Sequence, residues 1–506
     1  MIVSLLLFAA GSTDYYIKRE LPLPNLLYAL LGIMVTALLC ALVVMTRGRF
    51  EKAFITHKRL IICVTLLVFF LLALIICIGG FFFSDWDPAA ILYGAYGVLH
   101  GNPEDTGVAY FSNHPNNLLL VWIYLSVLRL TGLFGVESVL ALVIFQCVLS
   151  SLSAFIFFRI LEDMTKDPVT AYLGLIVYEI WIALSPWFII TYSDETGMIV
   201  PLLLLRVYQR MHAGKEKAGS FLFYSCILSV LASLGYFIKP QIALSFVAVL
   251  VLYVFEGKDE RPVKRMIFLL SCAMLTLLSA FMIKSVLIPS MGIETDGSKS
   301  FGMPHYFMMG LNSETDGAYS DEDTLYTDEY DTPAEKGRAD MERAYERIKN
   351  YGAAGLAVHS MKKTLVNFSD GLFAWGVDGD FFAGRMLEDI DNVPETAVTK
   401  PLWSIIRTDG AYFGKYAQIL QIIWITVLIL GILCGIAASV FISPEKRDRE
   451  DGTIYAVMLS LILLFMFELL FEAKARYLII YLPYYLLTAV YGLRALLHCR
   501  RQKKER

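Results

Sequence analysis

The residues best suited to chemistry sit where apolar runs end. Ser84-Asp85-Trp86-Asp87-Pro88 follows directly on one such run. Carboxylates at that depth are partly desolvated, which raises a carboxyl pKa, and a carboxylate so placed can take a proton from a hydroxyl as general base. A plainer role is also open: Asp87 as N-cap of a short helix Pro88–Leu99, with Asp85 solvated. Tyr192-Ser193-Asp194-Glu195-Thr196 lies at the mouth of another helix pair. Acidic groups at membrane depth are costly and usually face a cavity; otherwise Asp194 caps the next helix and Glu195 sits in its first turn, favoured by the helix dipole. The third group is Phe471-Glu472-Ala473-Lys474-Ala475-Arg476-Tyr477. Arg476 opens an apolar run, and its guanidinium suits a bidentate phosphate clamp. The neighbouring Glu472 implies a polar pocket. Lys239 and Lys474 are further cations at helix ends, or lysines that merely snorkel.

The elements that must position these groups are membrane helices. The chain has 506 residues, 57% of them hydrophobic and 18% charged, with net charge -4, and its mean hydropathy is +0.59. A soluble protein of this length cannot hide so much apolar surface, whereas lipid accepts it if the backbone is satisfied within helices. At roughly 20 apolar residues per span, about eleven transmembrane helices are expected, over 25–46, 60–82, 138–158, 169–190, 195–211, 219–238, 240–256, 266–288, 416–441, 453–471 and 476–497. Basic clusters follow alternate spans at Arg47–Arg59, Arg206–Lys217, Lys258–Arg265, Lys446–Arg449 and Arg500–Arg506. The positive-inside rule makes that side cytoplasmic. The expected localisation is therefore a multi-pass cell-membrane protein with a cytoplasmic C-terminus and an extracytoplasmic active site, the N-terminus lying outside. Residues 1–10 are apolar but too short to span, and no cleavable secretory signal is expected.

Three segments follow: an N-terminal transmembrane module 1–288 with a first outer loop 83–137, an extracytoplasmic loop or small domain 289–415, and C-terminal transmembrane helices with a basic tail over 416–506. Within the first outer loop, Asn117–Leu130 reads as a helix lying in the interface, with Trp122, Tyr124 and Arg129 as anchors. In the large loop, Thr332-Pro333 with Glu335 forms a capping-box pattern that starts a helix, stopped near Gly352 and followed by a second helix to Phe368. The acidic run Asp321–Asp331 is expected to be solvated. Lys362 and Lys363 would meet an anionic polymer or form a solvated face. The eight cysteines fall outside the external segments and lack metal-ligand spacing, so they read as small core residues. Nucleic acid is not expected as a partner, because no basic face appears outside the short loops.

At these residues the chain resembles the GT-C glycosyltransferases, of the protein-O-mannosyltransferase-like class, and most of all bacterial members that decorate cell-surface polymers such as teichoic acids. The resemblance rests on Asp85 just past an early span, on Asn113-His114-Pro115-Asn116-Asn117, on Tyr192-Ser193-Asp194, on Met309-Gly310-Leu311-Asn312, and on Arg476-Tyr477-Leu478 with Leu482-Pro483. It covers most of the chain in topology but only short motifs in sequence. It implies an all-α polytopic fold, a GT-C-like bundle with long extracytoplasmic loops, and transfer of a sugar from a polyprenyl-phosphate donor to an extracytoplasmic glycan, lipid-linked glycan or protein acceptor, with inversion. Asp85 would be the general base and Asp194 would position acceptor or base. Arg476, with Lys239 or Lys474, would hold the donor phosphate. Asp87, His114, Asn116, Asn117 and Glu195 would contact substrate. No cofactor is expected; the Asp85-Trp86-Asp87 spacing would also suit a divalent metal, but the branch it resembles works without one. That branch more often carries an adjacent acidic pair, so the role of Asp87 departs from its pattern. A transporter or flippase for lipid-linked sugar is the alternative of a different class, and a polysaccharide polymerase or ligase is another enzyme the residues admit.

Overall fold

In a computed structural model of the chain, the described residues are 22–84, 86–102, 107–213, 218–256, 262–378, 395–440 and 452–504. Among them every regular element is helical. Six helices are long and apolar enough to cross a membrane, and four shorter apolar ones accompany them. These ten helices overlap ten of the eleven expected segments; 195–211 is matched by none of them, and 169–190 is interrupted at Leu184 and Ser185.

The first element, α1 (Asn25–Gly79), is helical through the basic stretch expected to be a loop, with one non-helical residue, His57 (φ -115°, ψ 20°). A straight helix of that length would hold its ends roughly 80 Å apart. Yet Asn25 accepts a hydrogen bond from Gln421 and the carbonyl of Gly79 accepts one from Trp403, two side chains near one end of the molecule. The chain therefore doubles back at His57, and α1 is two arms. It packs against α5 (Val139–Thr165) and α16 (Phe413–Val440).

The middle of the bundle comprises α6 (Pro168–Tyr178), α7 (Ser193–Gly197), α8 (Ile199–Ala213), α9 (Ala218–Ile238), α10 (Ala243–Glu256) and α11 (Pro262–Met282). The C-terminal helices α17 (Thr453–Leu470) and α18 (Leu482–Lys504) pack among these, α17 against α10 and α18 against α16. At the α16–α18 crossing a side chain on Gly492 would run into the carbonyl of Leu430. Small residues at such crossings let backbones touch, which is how helices associate where lipid removes the hydrophobic drive.

Between α1 and α5 come α2 (Asp87–Leu99), α3 (Val108–Asn113) and α4 (Leu118–Gly132). Helix α4 is not the interfacial helix expected from its aromatic and basic residues. Leu118, Leu119, Leu120, Val121, Tyr124, Leu125 and Leu128 are all buried, and it packs against α2, α5 and α9. Its apolar residues surround most of its circumference, which is the pattern of an enclosed helix.

The large loop folds into α12 (Met303–Gly310), α13 (Asp321–Asp328), α14 (Pro333–Phe368) and α15 (Thr399–Ile406). The Thr332 capping box forms on both sides: the Glu335 amide donates to Thr332 Oγ1 at 3.3 Å and the Thr332 amide to the Glu335 carboxylate at 3.2 Å. Helix α14 bends at Gly352, whose φ is +58°, a conformation open to glycine. The acidic run is not uniformly solvated. Asp323 is fully buried, accepting from Arg347 at 2.6 and 2.9 Å and from Asn312 at 2.9 Å. Lys363 is not a solvated face either; it too is fully buried.

Both long loops meet at one end of the bundle. The Phe301 amide donates to the Asn113 carbonyl at 3.0 Å, the Asp296 amide to Ser112 Oγ at 2.9 Å, and the Trp187 indole to the Leu372 carbonyl at 3.1 Å. At the opposite end Lys58 and Arg159 pair with Glu162, Arg206 pairs with Asp163, and Arg494 reaches the Met164 carbonyl. Basic groups from four helices thus gather away from the loops.

Candidate active site

The centre of the loop-bearing end is Asp194, fully buried in the single turn α7. It does not cap that turn; Tyr192 occupies the N-cap position. Its carboxylate instead pairs with Lys239, from the junction between α9 and α10, and faces the Arg476 Nε at 3.6 Å. A charge buried this far from water costs several kcal/mol unless paired, so the fold must bring both cations to it. It does so from helix ends: Lys239 precedes Pro240, and Arg476 lies in the 3-10 turn Ala475–Tyr481 that opens α18.

Arg476 is 5% exposed and lies in an aromatic box. Its guanidinium carbon is 4.2 Å from the centre of the Trp86 ring, 5.0 Å from Tyr192, 5.8 Å from Trp187 and 5.9 Å from Tyr477. The rings are shared. Lys474 sits 5.7 Å from Trp86 and Lys239 4.3 Å from Tyr477. Each such contact contributes about 0.5–2 kcal/mol when desolvated. Three cations are therefore held at one point by ring faces, with Asp194 as carboxylate partner to two of them.

Asp87 belongs to the same constellation. It is the first residue of α2 rather than its N-cap, a position taken by Trp86. Its carboxylate accepts from the Tyr192 hydroxyl at 2.6 Å and also bonds the Tyr110 hydroxyl. Asn117 donates to Tyr110 at 2.5 Å, Asn116 to Asn117 at 3.3 Å, and His114 Nδ1 stands 3.5 Å from the Tyr306 hydroxyl. Burial lowers the His114 pKa from its ordinary value, and the nearby Asp87 charge offsets part of that. Burial raises Glu472, which is bonded by Tyr477. A small hollow of about 10 Å³, lined by Phe81, Phe83, Ser84, Leu92, Ile189 and Thr191, adjoins the Trp86 segment.

Glu195, beside Asp194, and Glu468, in the last turn of α17, are buried with carboxyl oxygens that make no hydrogen bond among the described residues. Asp85 lies outside the described residues. The sequence-derived residues Asp87, His114, Asn116, Asn117, Asp194, Glu195, Lys239, Lys474 and Arg476 are thus gathered at one end of the bundle. The residues that sequence reasoning left without a role are the rings: Trp86, Tyr110, Trp187, Tyr306 and Tyr477, with Tyr192 as the link between Asp87 and Arg476. The signal that could have found them is a cation opening an apolar span, which needs aromatic or acidic neighbours to be tolerated there.

No group of His, Cys, Asp and Glu among the described residues has the arrangement of a metal site. A separate cavity of about 330 Å³ lies in the loop unit between Ser313, Asp316, Tyr351 and Lys362. Neither the curated proteins nor the solved structures contain a match to this chain. A family model does match it, over residues 1–495, and with the helical architecture above that makes the protein an all-α, multi-pass membrane protein. The chain belongs to the family described as CHIM_prot, conserved hypothetical integral membrane protein.

Proposed function

We propose that the protein is a membrane glycosyltransferase that moves a sugar from a polyprenyl-phosphate donor to a glycan acceptor outside the cytoplasm, with inversion. The observation that carries this reading is the convergence of Arg476, Lys239 and Lys474 in an aromatic box at the bundle end where both long loops meet. Preorganised cations of this kind stabilise charge that develops on a leaving phosphate. The basic residues at the opposite end support placing the loops and the site on the extracytoplasmic side, and the C-terminus in the cytoplasm.

In this mechanism the acceptor hydroxyl oxygen forms a bond to the anomeric carbon as the bond from that carbon to the phosphate oxygen breaks. The hydroxyl proton goes to the Asp85 carboxylate. The electron pair of the broken bond stays on the phosphate, where Arg476, with Lys239 or Lys474, holds the added charge. Asp194 acts through the two cations it pairs with, fixing their positions before the donor arrives. Asp87, held by Tyr192, and the His114–Asn117 segment line the acceptor side. No step needs a metal.

The test is transfer by the purified full chain in nanodiscs, from a panel of undecaprenyl-phosphate hexoses to cell-wall polymer. Wild type transfers at least one of the sugars, and Asp85→Asn reduces that rate by about 10³-fold while inserting and folding normally. A mutant with the wild-type rate rejects Asp85 as base. A wild type inert toward the whole panel rejects the sugar-phosphate reading.

A further inference from the structure

Lys363 is a buried cation that the mechanism above does not use. It lies near the end of α14, fully enclosed, and its ammonium donates to the Gly310 carbonyl at 2.9 Å and to the Phe471 carbonyl at 2.5 Å. Phe471 is the first residue after α17, and Arg476 follows five positions later. The same short segment is gripped twice more by the loop unit. The Ala473 amide donates to the Gly317 carbonyl at 2.8 Å. Gly310 lies so close that a Cβ there would stand 2.7 Å from the backbone of Leu470 and Phe471. Gly317 has φ +81°, and a Cβ on it would come within 2.9 Å of the Lys363 side chain and 2.7 Å of the Gly310 carbonyl. Backbone contacts this close leave the segment little freedom relative to the loop unit.

We propose that the loop unit sets the position of the cations that meet the donor phosphate, and that Lys363 is the positioning residue through which it does so. The inference rests on the sugar-phosphate reading. A joint that only had to satisfy two carbonyls could use a neutral amide; a buried ammonium costs several kcal/mol more in desolvation. What the charge adds is attraction to acidic groups on the far side of the joint. Those facing Lys363 are Glu468 on α17 and Glu472 on the segment itself, while His359, whose pKa burial lowers, is the titratable neighbour on its own helix. Glu468 in turn faces Lys239, so the lysine of the loop unit and the lysine of the Asp194 cluster look toward one carboxyl. Burial pulls Lys363 down to about 8; the ammonium is present below that pH and is lost as pH rises through it.

Binding of farnesyl phosphate to the full chain in nanodiscs tests this. Lys363→Met weakens binding about tenfold, and Lys363→Arg stays within about threefold of wild type. Added to Arg476→Ala, Lys363→Met changes little further, because both act through one cation group. Wild-type binding falls as pH rises from about 7 to about 9, and Lys363→Arg shows a smaller fall, because the other titratable groups of the cluster remain. Wild-type affinity in Lys363→Met, fully multiplicative losses in the double variant, or the same pH profile in Lys363→Arg each overturns the inference while leaving the sugar-phosphate reading in place. If Lys363→Met does not fold, the paired pH profiles of wild type and Lys363→Arg decide alone. A wild type that does not bind farnesyl phosphate overturns both.

Discussion

The loop unit and the Asp194 cluster both bury charge, and they do it in opposite ways. In the loop unit Asp323 has two arginine nitrogens and an amide, Lys336 has Asp328 and a carbonyl, and the His305 ring bonds Thr327, which bonds Asp340. A network satisfied to this degree rigidifies a fold. In the cluster, the buried carboxyl groups of Asp194, Glu195 and Glu468 carry oxygens that make no hydrogen bond among the described residues, and three cations rest on ring faces. Ring faces hold these cations by attraction to the ring quadrupole, alongside the ion pairs of Lys239 and Arg476 with Asp194. The difference separates charge used to hold a shape from charge held for a partner.

Substitutions can break that contrast, and the largest effect is expected at Arg476. Arg476→Ala lowers kcat/KM for the donor by about 10²–10³-fold, with the acceptor KM changed far less. Steady-state kinetics in both substrates check this, and equal losses would count against a phosphate clamp. Next come Asp194→Asn and Asp323→Asn. Each strands buried cations and costs about 3 kcal/mol of stability, read by denaturant unfolding in detergent. The two diverge in transfer per folded molecule, which drops for Asp194→Asn and is retained for Asp323→Asn. Loss of specific activity in both would erase the distinction between the regions. The smallest effect is expected for Tyr192→Phe. It removes a 2.6 Å bond to the Asp87 carboxylate, worth roughly 1.5–3 kcal/mol for a charged acceptor, and slows transfer about tenfold without moving the donor KM.

Much of this arrangement was legible because charge at the end of an apolar run has few places to go. Asp194, Lys239 and Arg476 could be singled out on that ground, and the alternation of basic clusters put them on one side. Local signals also read well. The Thr332–Glu335 box and the bend at Gly352 depend on neighbours a few residues away. What stayed hidden depends on distant partners. Asp323 looks like its exposed neighbours until Arg347, 24 residues on, folds back over it. Lys362 and Lys363 are adjacent, yet one pairs with Asp316 at the edge of the loop unit and the other is enclosed. The box around Arg476 draws rings from position 86 to position 477, and aromatic residues are too common near membrane surfaces for spacing to pick them out. Helix α4 was misjudged because its anchors resemble those of a surface helix, whereas the neighbours that enclose it are one outer helix, α2, and two helices of the bundle, α5 and α9.

The missing side chain at position 492 has a consequence for the far end of its own helix. Because α18 touches α16 backbone to backbone there, it behaves as a strut clamped midway along its length, with Arg476 in the turn at its head. Widening that clamp by a single methyl group would tilt the strut and swing the guanidinium off its rings, so a change deep in the bundle would be felt as lost chemistry a helix length away.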